Sequence, residues 1–166
     1  MVDFYFTSDF HSSKKLVEFL AGDRLWIPRT DYPDFMYWLD KVEVELESGQ
    51  KQSIVAFYQK KLVGAILFQK HKQIPSVLEL KNLTVLQEAG GRFVASFLIR
   101  NAEVEGLKTM QCLSVMGDAK RTNHAITDLM LKNGYNIVSD LDLYHLGRDR
   151  DNLFFKEVKS GSCDSR

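Results

Sequence analysis

The segment from Val77 to Glu105 constrains the fold of this chain more than any other part of it. It opens as a strand, because Leu78 and Leu80 alternate with polar residues at a period of two. The alternation then changes parity, since the next apolar positions are Leu83 and Val85. A regular strand cannot present these four apolar side chains on one face.

The change of parity predicts a β-bulge near Lys81 and Asn82, where one inserted residue resets the alternation. Such a bulge bends the strand and leaves backbone groups without partners in the ladder. A free strand edge of this kind can form hydrogen bonds with an extended ligand, so the bulge marks a candidate binding site.

A glycine turn and a helix follow the bulged strand. Gly90 and Gly91 permit a positive φ and a close approach of the backbone to a bound group. The helix has apolar residues on one face, at Val94, Phe97, Leu98 and Ala102. Its first turn directs unpaired N–H groups outward, as in phosphate sites, and Arg92 can add a bidentate contact. The alternative is a glycine pair that only reverses the direction of the chain.

The helix leads into a second strand, because Thr109 to Met116 form a nearly continuous apolar run. Strand, helix and strand then make a crossover unit, so the two strands are predicted to be parallel neighbours. A bulge in one of two adjacent parallel strands would force them apart, and the gap would admit an extended arm.

The rest of the chain also shows strand and helix patterns. In order, these are a strand at Val2–Thr7, a helix from Ser12 or Ser13 to Gly22, a helix from Pro33 to Gly49, strands at Ser53–Tyr58 and Leu62–Lys70, a helix from Thr122 or Asn123 to Gly134, and strands at Tyr135–Tyr144 and Leu153–Val158. The two strands on either side of residue 60 are predicted to form an antiparallel hairpin.

The composition of the chain limits its domain organisation and the classes of partner that it can bind. The chain has 166 residues, 45% of them hydrophobic, which suits one compact domain at residues 1–158 and a disordered tail at 159–166. Lys and Arg number 22 and Asp and Glu number 22, so bulk charge indicates neither nucleic-acid nor membrane binding. The two cysteines suggest no disulfide framework, and the amino terminus lacks a signal-peptide pattern, so the expected location is a reducing cytoplasm.

The segment from the bulged strand to the glycine helix resembles the core motif of the GNAT superfamily of N-acetyltransferases. In that superfamily a bulged strand binds the pantetheine arm of acetyl-CoA through its backbone, and a Q/R-x-x-G-x-G/A loop holds the pyrophosphate. Aligned on Val85, Gly90 takes the place of Gln or Arg, and Phe93 takes that of Gly, whereas Ala95 fits. The resemblance implies a set of acetyl-CoA contacts at Leu83, Thr84, Val85, Gly90, Gly91, Arg92, Phe93, Val94, Ala95 and Asn123.

A second resemblance lies between Asn123 and Tyr135, where an Asn precedes a helix that ends in Lys-x-Gly-Tyr. The superfamily often places a Tyr on this helix as general acid toward the departing thiolate, and Met130 stands there in this chain. The order of elements also fits along nearly the whole chain. The resemblance implies an α/β (α+β) fold with a mixed, mostly antiparallel sheet of six to seven strands, a bulged central strand and flanking helices.

Acetyl transfer to an amine needs a deprotonated nucleophile, a polarised thioester carbonyl and a leaving thiolate. Glu79 on the bulged strand is the candidate general base, and a carboxyl half inside a sheet is expected to have a raised pKa. The alternative for Glu79 is a solvated strand face. Tyr135 and Tyr144 are the candidate general acids, although a Tyr after a helix-ending Gly more often only packs.

The resemblance therefore predicts an N-acetyltransferase with acetyl-CoA as acyl donor, no metal, and an amine acceptor of unknown identity. Trp26, Tyr32 and Trp38 are candidate lining residues of the acceptor pocket, with a core position as the alternative for Trp38.

One rival function is a degenerate member that keeps the fold as a binding or regulatory module, which the departures from both motifs favour. Another is a different α/β phosphate-binding protein, although a Rossmann fingerprint is absent. Oligomeric state stays open, and a homodimer is among the states that the sequence allows.

Overall fold

The structure, a computed structural model, describes residues 4–22, 34–143 and 150–158. Its helices and strands, in chain order, are β1 (Phe4–Thr7), α1 (Ser13–Ala21), α2 (Phe35–Glu47), β2 (Lys51–Tyr58), β3 (Lys61–Lys70), β4 (Val77–Val85), α3 (Val94–Met110), β5 (Ser114–Lys120), α4 (His124–Lys132), β6 (Asn136–Leu141) and β7 (Asp151–Glu157). Within those ranges no helix has both the length and the apolar character needed to span a membrane.

The strands form one mixed sheet in the order β1-β2-β3-β4-β5-β7-β6. Neighbouring strands are antiparallel except β4 and β5, which run parallel. The helix α3 connects these two strands, as the sequence predicts for a strand–helix–strand unit. The predicted mixed and mostly antiparallel sheet is therefore confirmed, with seven strands in the described residues.

Two apolar layers cover the faces of the sheet. One layer joins α3 and α4 to the sheet through buried residues that include Leu98 and Met130. The other joins α1 and α2 to the opposite face through buried residues that include Leu16 and Leu39. Side chains of β3 enter both layers, as expected for a central strand that is covered on both faces.

Local sequence signals begin and end several elements. Ser12 and Asn123 cap α1 and α4, and each side chain accepts a hydrogen bond from an amide in the first helical turn. Gln59 and Lys60 form the two-residue turn of the β2–β3 hairpin, with φ values of 48° and 66° that match a type I′ turn. Both caps agree with the predicted helix starts, and the predicted antiparallel hairpin is confirmed, with β2 beginning at Lys51 and β3 at Lys61 rather than at Ser53 and Leu62.

Some predictions for the second half of the chain are wrong. The strand predicted at Thr109–Met116 begins at Ser114, because α3 continues to Met110. An apolar run alone does not separate the end of a buried helix from a buried strand. Phe97, predicted to share one apolar face of α3 with Val94 and Leu98, is 50% exposed, whereas those two residues are buried. Its ring contacts that of Phe6 at a centroid distance of 5.5 Å.

Candidate functional site

The bulge predicted in β4 is present. Ala65 of β3 pairs with Thr84 of β4, and Leu67 pairs with Lys81. The two β3 residues are two positions apart, whereas their partners in β4 are three positions apart. β4 therefore contains one more residue than β3 over this interval, which defines a bulge. Asn82 lies within it and has a left-handed φ of 47°.

The two parallel strands pair over only a short distance. β4 pairs with β5 from Val77 to Glu79, opposite Ser114–Met116. Both strands continue past this point, β4 to Val85 and β5 to Lys120. Among the residues that the structure describes, no strand pairs with the β5-facing side of β4 beyond Glu79. This confirms the predicted gap between the strands.

The glycine turn leads directly into the amino terminus of α3. Gly91 has a φ of 69°, and a Cβ built on it would meet no atom within 4 Å. Phe93 is also left-handed, at a φ of 61°, and is 75% exposed. The Phe97 amide donates to the Phe93 carbonyl at 3.0 Å, so the amides of residues 94–96 precede the first intrahelical bond. These amides and the helix dipole make the turn a candidate anion site.

Arg92 extends from this turn toward the edge of the sheet. Its guanidinium lies over the ring of Phe4 at 6.0 Å from the centroid and over the ring of Tyr58 at 5.6 Å. Lys61 donates to Glu88 at 2.6 Å, and this exposed ion pair links the segment before the turn to the β2–β3 hairpin. The phosphate contact of Arg92 stays a prediction, while its aromatic contacts keep its charge near the hairpin.

Thr84 carries an orphaned hydroxyl next to the bulge. The residue is 3% exposed, and its Oγ1 has no hydrogen-bond partner among the described residues. A buried hydroxyl without a partner costs about 1–3 kcal/mol, and native structures seldom leave one unless a ligand or water completes it. Thr84 pairs with Ala65, which belongs to the apolar layer under α1 and α2, so the hydroxyl is on that face of the sheet.

A charged network crosses the gap between β4 and β5. Lys81 Nζ lies 2.7 Å from Glu79 Oε1 and 3.4 Å from Asp118 Oδ1, so one ammonium joins the two strands. Gln69 Nε2 donates to Glu79 Oε2 at 2.7 Å. The network therefore places both signs of charge beside the free edge of β4.

The structure corrects the expected ionisation of Glu79. Burial raises the pKa of this carboxyl, but the Lys81 ammonium and the hydrogen bonds from Lys81 and Gln69 outweigh burial. The pKa lies below its usual value, so the prediction of a raised pKa is wrong. Burial likewise lowers the pKa of Lys81, but Asp118 and then Glu79 outweigh it and raise that pKa. Both groups are thus charged at neutral pH.

A cavity of about 410 Å³ opens beside Glu79 on the α2 side of the sheet. Its described lining consists of Trp38, Lys41, Glu45, Lys51, Gln69, His71, Lys72, Gln73, Glu79 and Lys81. Trp38, a candidate pocket residue with a core position as its alternative, lines this cavity and also packs against the layer under α1 and α2. Its ring stacks on Phe35 at a centroid distance of 5.8 Å. The other two candidates, Trp26 and Tyr32, lie outside the described residues.

Tyr135 is not placed to act as a general acid. Its side chain is 2% exposed, and its hydroxyl donates to Glu103 Oε1 at 2.5 Å. Burial, and then the Glu103 carboxylate, raise the pKa of this hydroxyl far above its usual range. The structure therefore favours the alternative interpretation, a tyrosine that packs after the helix-ending Gly134. Tyr144 and the tail at 159–166 lie outside the described residues.

Two further motif residues have structural contacts. The Asn123 side chain accepts a hydrogen bond from the Ile126 amide at 3.1 Å, and its contact with acetyl-CoA stays a prediction. Met130 is buried in the layer under α3 and α4, and its Cε lies 3.4 Å from where a Cβ of Gly117 would be. Met130 thus packs closely over β5 and has no proton to donate.

Lys81 and Asp118 are the functional candidates that sequence reasoning missed. Lys81 is two residues after Glu79, so strand periodicity puts both side chains on one face, and this spacing is a usable signal. Asp118 lies 37 residues beyond Lys81. Only the pairing of β4 with β5 brings it into contact, and no local pattern indicates that contact.

The sequence matches no family model and no curated protein. Its fold does match solved structures. An acetyltransferase assigned to the GNAT family from Desulfovibrio desulfuricans gives a TM-score of 0.73 at 10% identity, over 95% of this chain and 99% of that chain. The spermidine/spermine N-acetyltransferase SpeG from Vibrio cholerae gives 0.70 at 14% identity, over 93% of each chain. An aminoglycoside 6'-N-acetyltransferase complexed with coenzyme A gives 0.70 at 17% identity, over 92% and 96%.

These likenesses extend over nearly the full length of the described fold and rest on structure rather than on sequence. The strand order, the parallel contact between β4 and β5 and the flanking helices agree with the architecture that the motifs imply. This chain therefore has the fold of the GNAT acetyltransferases.

Proposed function

We propose that this chain is an N-acetyltransferase that takes acetyl-CoA as its acyl donor. One observation supports the proposal most strongly. The bulged strand β4 separates from its parallel neighbour β5, and it does so close to the amino terminus of α3. The Thr84 carbonyl and a Val94 methyl lie 3.3 and 3.4 Å from where a Cβ of Gly64 would be, so strand and helix end are adjacent. A free backbone edge beside a helix amino terminus suits an extended arm that ends in a pyrophosphate.

The described residues fit such a donor in three ways. The backbone of Leu83–Val85 offers a free edge for the amide groups of the pantetheine arm. The orphaned Thr84 hydroxyl has hydrogen-bonding capacity next to that edge. The turn and first helical residues, Gly90–Ala95, offer amides for the pyrophosphate, with open space around Gly91. In the same proposal, Asn123 at the start of α4 contacts the donor from the β5 side.

The reaction forms an amide bond and breaks a thioester. The free amine attacks the thioester carbonyl, and the tetrahedral intermediate collapses as the thiolate of coenzyme A departs. Backbone N–H groups of β4 that face the gap would stabilise the developing oxyanion. Glu79, an ionised carboxylate on the cavity wall, would take the proton that the amine loses, directly or through water.

Met130 has no proton to give the departing thiolate, and Lys81 supplies a positive charge in the gap instead. Its ammonium lies between Glu79 and Asp118 and stays charged, because these carboxylates raise its pKa. A fixed cation in the gap would stabilise both the oxyanion and the departing thiolate. A thiol has an ordinary pKa of about 8.5, so a thiolate held near an ammonium can leave without a general acid.

The Gly91 position tests the donor site. A valine at residue 91 must adopt a φ of 69° and fills space that is otherwise open. We expect Gly91→Val to weaken acetyl-CoA binding by about tenfold, a loss of about 1.4 kcal/mol, in isothermal titration calorimetry. The strained backbone should also lower the free energy of unfolding by about 1–3 kcal/mol.

Gly49 provides the matched control, because it has a φ of 74° and no atom within 4 Å of a built Cβ. It lies in the turn before β2, away from the proposed donor site. Gly49→Val should lose comparable stability and keep the acetyl-CoA affinity of the parent chain. Equal acetyl-CoA affinity in both variants would show that the Gly91 turn does not hold the pyrophosphate.

Phe93 allows a gain-of-function test of the same turn. It holds a left-handed φ of 61°, which costs a residue with a Cβ about 1–2 kcal/mol, and its exposed ring buries little apolar surface. We expect Phe93→Gly to raise the melting temperature slightly and to tighten acetyl-CoA binding, since glycine relieves strain and removes a ring beside the proposed pyrophosphate. Gln111 is the control, because it is left-handed at the other end of α3, with a φ of 55°. Gln111→Gly should raise stability in the same way without changing the affinity; equal tightening in both variants would contradict a local role for Phe93.

A further inference from the structure

We propose that the acceptor is a small amine that also carries an anionic group, such as a carboxylate or a phosphate. The inference rests on the proposed acetyl transfer and concerns the cavity beside Glu79. That cavity is where an acceptor would meet the gap, because Glu79 and Lys81 are part of both the cavity lining and the charged network.

Positive charge exceeds negative charge in the described lining. Four lysines line the cavity, at positions 41, 51, 72 and 81, against two glutamates, at positions 45 and 79. Asp118 contacts Lys81 from β5 without lining the cavity, and counting it still leaves more lysines than carboxylates. An anionic group would therefore be attracted into this cavity, and a polycation would be repelled.

Both glutamates in the lining are already neutralised by lysines. Glu45 forms a buried ion pair with Lys51, and Lys72 Nζ lies 3.8 Å from its other oxygen. Glu79 accepts hydrogen bonds from Lys81 and Gln69, each at 2.7 Å. Neither carboxylate is therefore free to pair with a further ammonium group of a polyamine acceptor.

The remaining polar side chains of the described lining, Lys41, His71, Lys72 and Gln73, can each donate hydrogen bonds. Lys72 is 66% exposed at its side chain, and Lys41 is exposed and has no ion pair among the described residues. His71 Nδ1 accepts from the amides of Gln73 and Ile74 at 3.2 and 3.1 Å, which assigns the proton of the neutral ring to Nε2. The Lys41 ammonium, the Lys72 ammonium, which has only a 3.8 Å contact with the already paired Glu45, and the His71 N–H can together bind one anion. Trp38 offers a flat apolar wall for the rest of the acceptor.

This charge pattern disfavours the polycationic acceptors for which two proteins of the same fold are named. SpeG is named for spermidine and spermine, and the other enzyme is an aminoglycoside acetyltransferase. Such polycations need carboxylates that are free to pair with their ammonium groups. The described lining of this cavity has no glutamate without a lysine partner, so we infer a different class of acceptor.

The test is an acceptor panel of matched pairs, with release of the coenzyme A thiol as the readout. The anionic members are α-amino acids and phosphoethanolamine, the neutral matches are amino-acid amides and ethanolamine, and spermidine is the polycation. We expect kcat/KM for the preferred anionic amine to exceed that of its neutral match by about tenfold or more, equivalent to about 1.4 kcal/mol. Preference between the amino acids and phosphoethanolamine identifies the anion as carboxylate or phosphate.

Charge-reversal variants of the cavity lysines provide an independent test of the inferred acceptor class. Lys72→Glu, alone or with Lys41→Glu, should raise KM for the preferred anionic amine and leave acetyl-CoA affinity unchanged. Lys14→Glu is the matched control, because Lys14 is exposed in the first turn of α1 and does not line the cavity. It makes the same change in net charge and should leave KM unchanged.

Several results would overturn the inference. These are a preference for spermidine or for the neutral matches, no anionic amine acetylated above the rate of thioester hydrolysis, or an unchanged KM in the cavity variants. Calorimetry with acetyl-CoA, run on the same protein, separates this failure from failure of the proposed function. A chain that binds acetyl-CoA and prefers spermidine overturns only the acceptor class, whereas a chain that does not bind acetyl-CoA overturns both.

Discussion

Glu79→Gln is expected to lower kcat/KM for acetyl transfer by about 100-fold, at the lower end of the range for removing a general base. Glutamine keeps the size of the side chain and can still form hydrogen bonds with Gln69, but it cannot accept the proton of the amine. The dissociation constant of acetyl-CoA should stay within about twofold, which is less than 0.5 kcal/mol, since the proposed donor contacts lie further along β4. Steady-state kinetics and calorimetry on one preparation give both quantities.

Glu157→Gln is the control for this variant, because Glu157 is an exposed glutamate at the end of β7. It makes the same chemical change away from the gap and should leave kcat/KM unchanged. Unchanged turnover in Glu79→Gln would remove Glu79 from the mechanism.

The pH dependence tests the ionisation of Glu79 separately. Lys81 and Gln69 outweigh burial and hold the pKa of this carboxyl below its ordinary 4.5. A lowered folded-state pKa means that the contribution of Glu79 to stability is present above pH 4.5 and is lost as the pH falls through the folded value. Turnover that depends on a carboxyl group titrating at about pH 6–7, as for a base tuned to neutrality, would contradict this assignment.

Glu103→Ala is expected to lower the free energy of unfolding by about 3 kcal/mol, the lower end of the range for breaking a buried ion pair. Glu103 accepts from the Tyr135 hydroxyl at 2.5 Å and from Lys156 Nζ at 3.0 and 2.9 Å. Its loss leaves the buried hydroxyl without its acceptor. Lys156 is 28% exposed at its side chain and can turn toward water, which moderates the cost. Urea denaturation followed by circular dichroism measures the effect.

Glu105→Ala is the control, because it removes a carboxylate from the same helix two residues away and should change stability by less than about 0.5 kcal/mol. The raised pKa of Tyr135, caused by burial and by the Glu103 carboxylate, also predicts that the free energy of unfolding of the parent chain falls at alkaline pH. A raised folded-state pKa gives stability that is fully present below the ordinary value of 10.0 and is lost as the pH rises above it. Equal stability of the two alanine variants would mean that the Glu103 cluster does not stabilise the fold.

The position of the bulge could be predicted from the sequence because it changes the parity of a short apolar pattern. Leu80 and Leu83 cannot share a face of a regular strand, and an inserted residue is the simplest way to bury both. The crossover to a parallel strand follows from the order of elements. The gap between the strands follows from these two features, since a bulged strand cannot keep its register with a parallel neighbour.

The details of the site depend on contacts between distant residues. The lowered pKa of Glu79 depends on Lys81, whose position is held by Asp118 on the next strand, and no local pattern measures the strength of that contact. The left-handed φ of Phe93 has no signal in the sequence, because a phenylalanine seldom adopts it. Only alignment to a motif that has glycine at that position hints at the conformation.

The central claim is that the gap between β4 and β5 binds acetyl-CoA, and titration calorimetry of the purified chain with acetyl-CoA tests it most directly. ATP serves as the control ligand, because it shares the adenine and phosphates but lacks the pantetheine arm. We expect acetyl-CoA to bind with a micromolar dissociation constant, a binding free energy of about −8 kcal/mol, and ATP to bind more weakly or not at all. This expectation rests on the gap, the orphaned Thr84 hydroxyl and the turn at Gly91. No binding of acetyl-CoA, or equal binding of ATP, would contradict the claim.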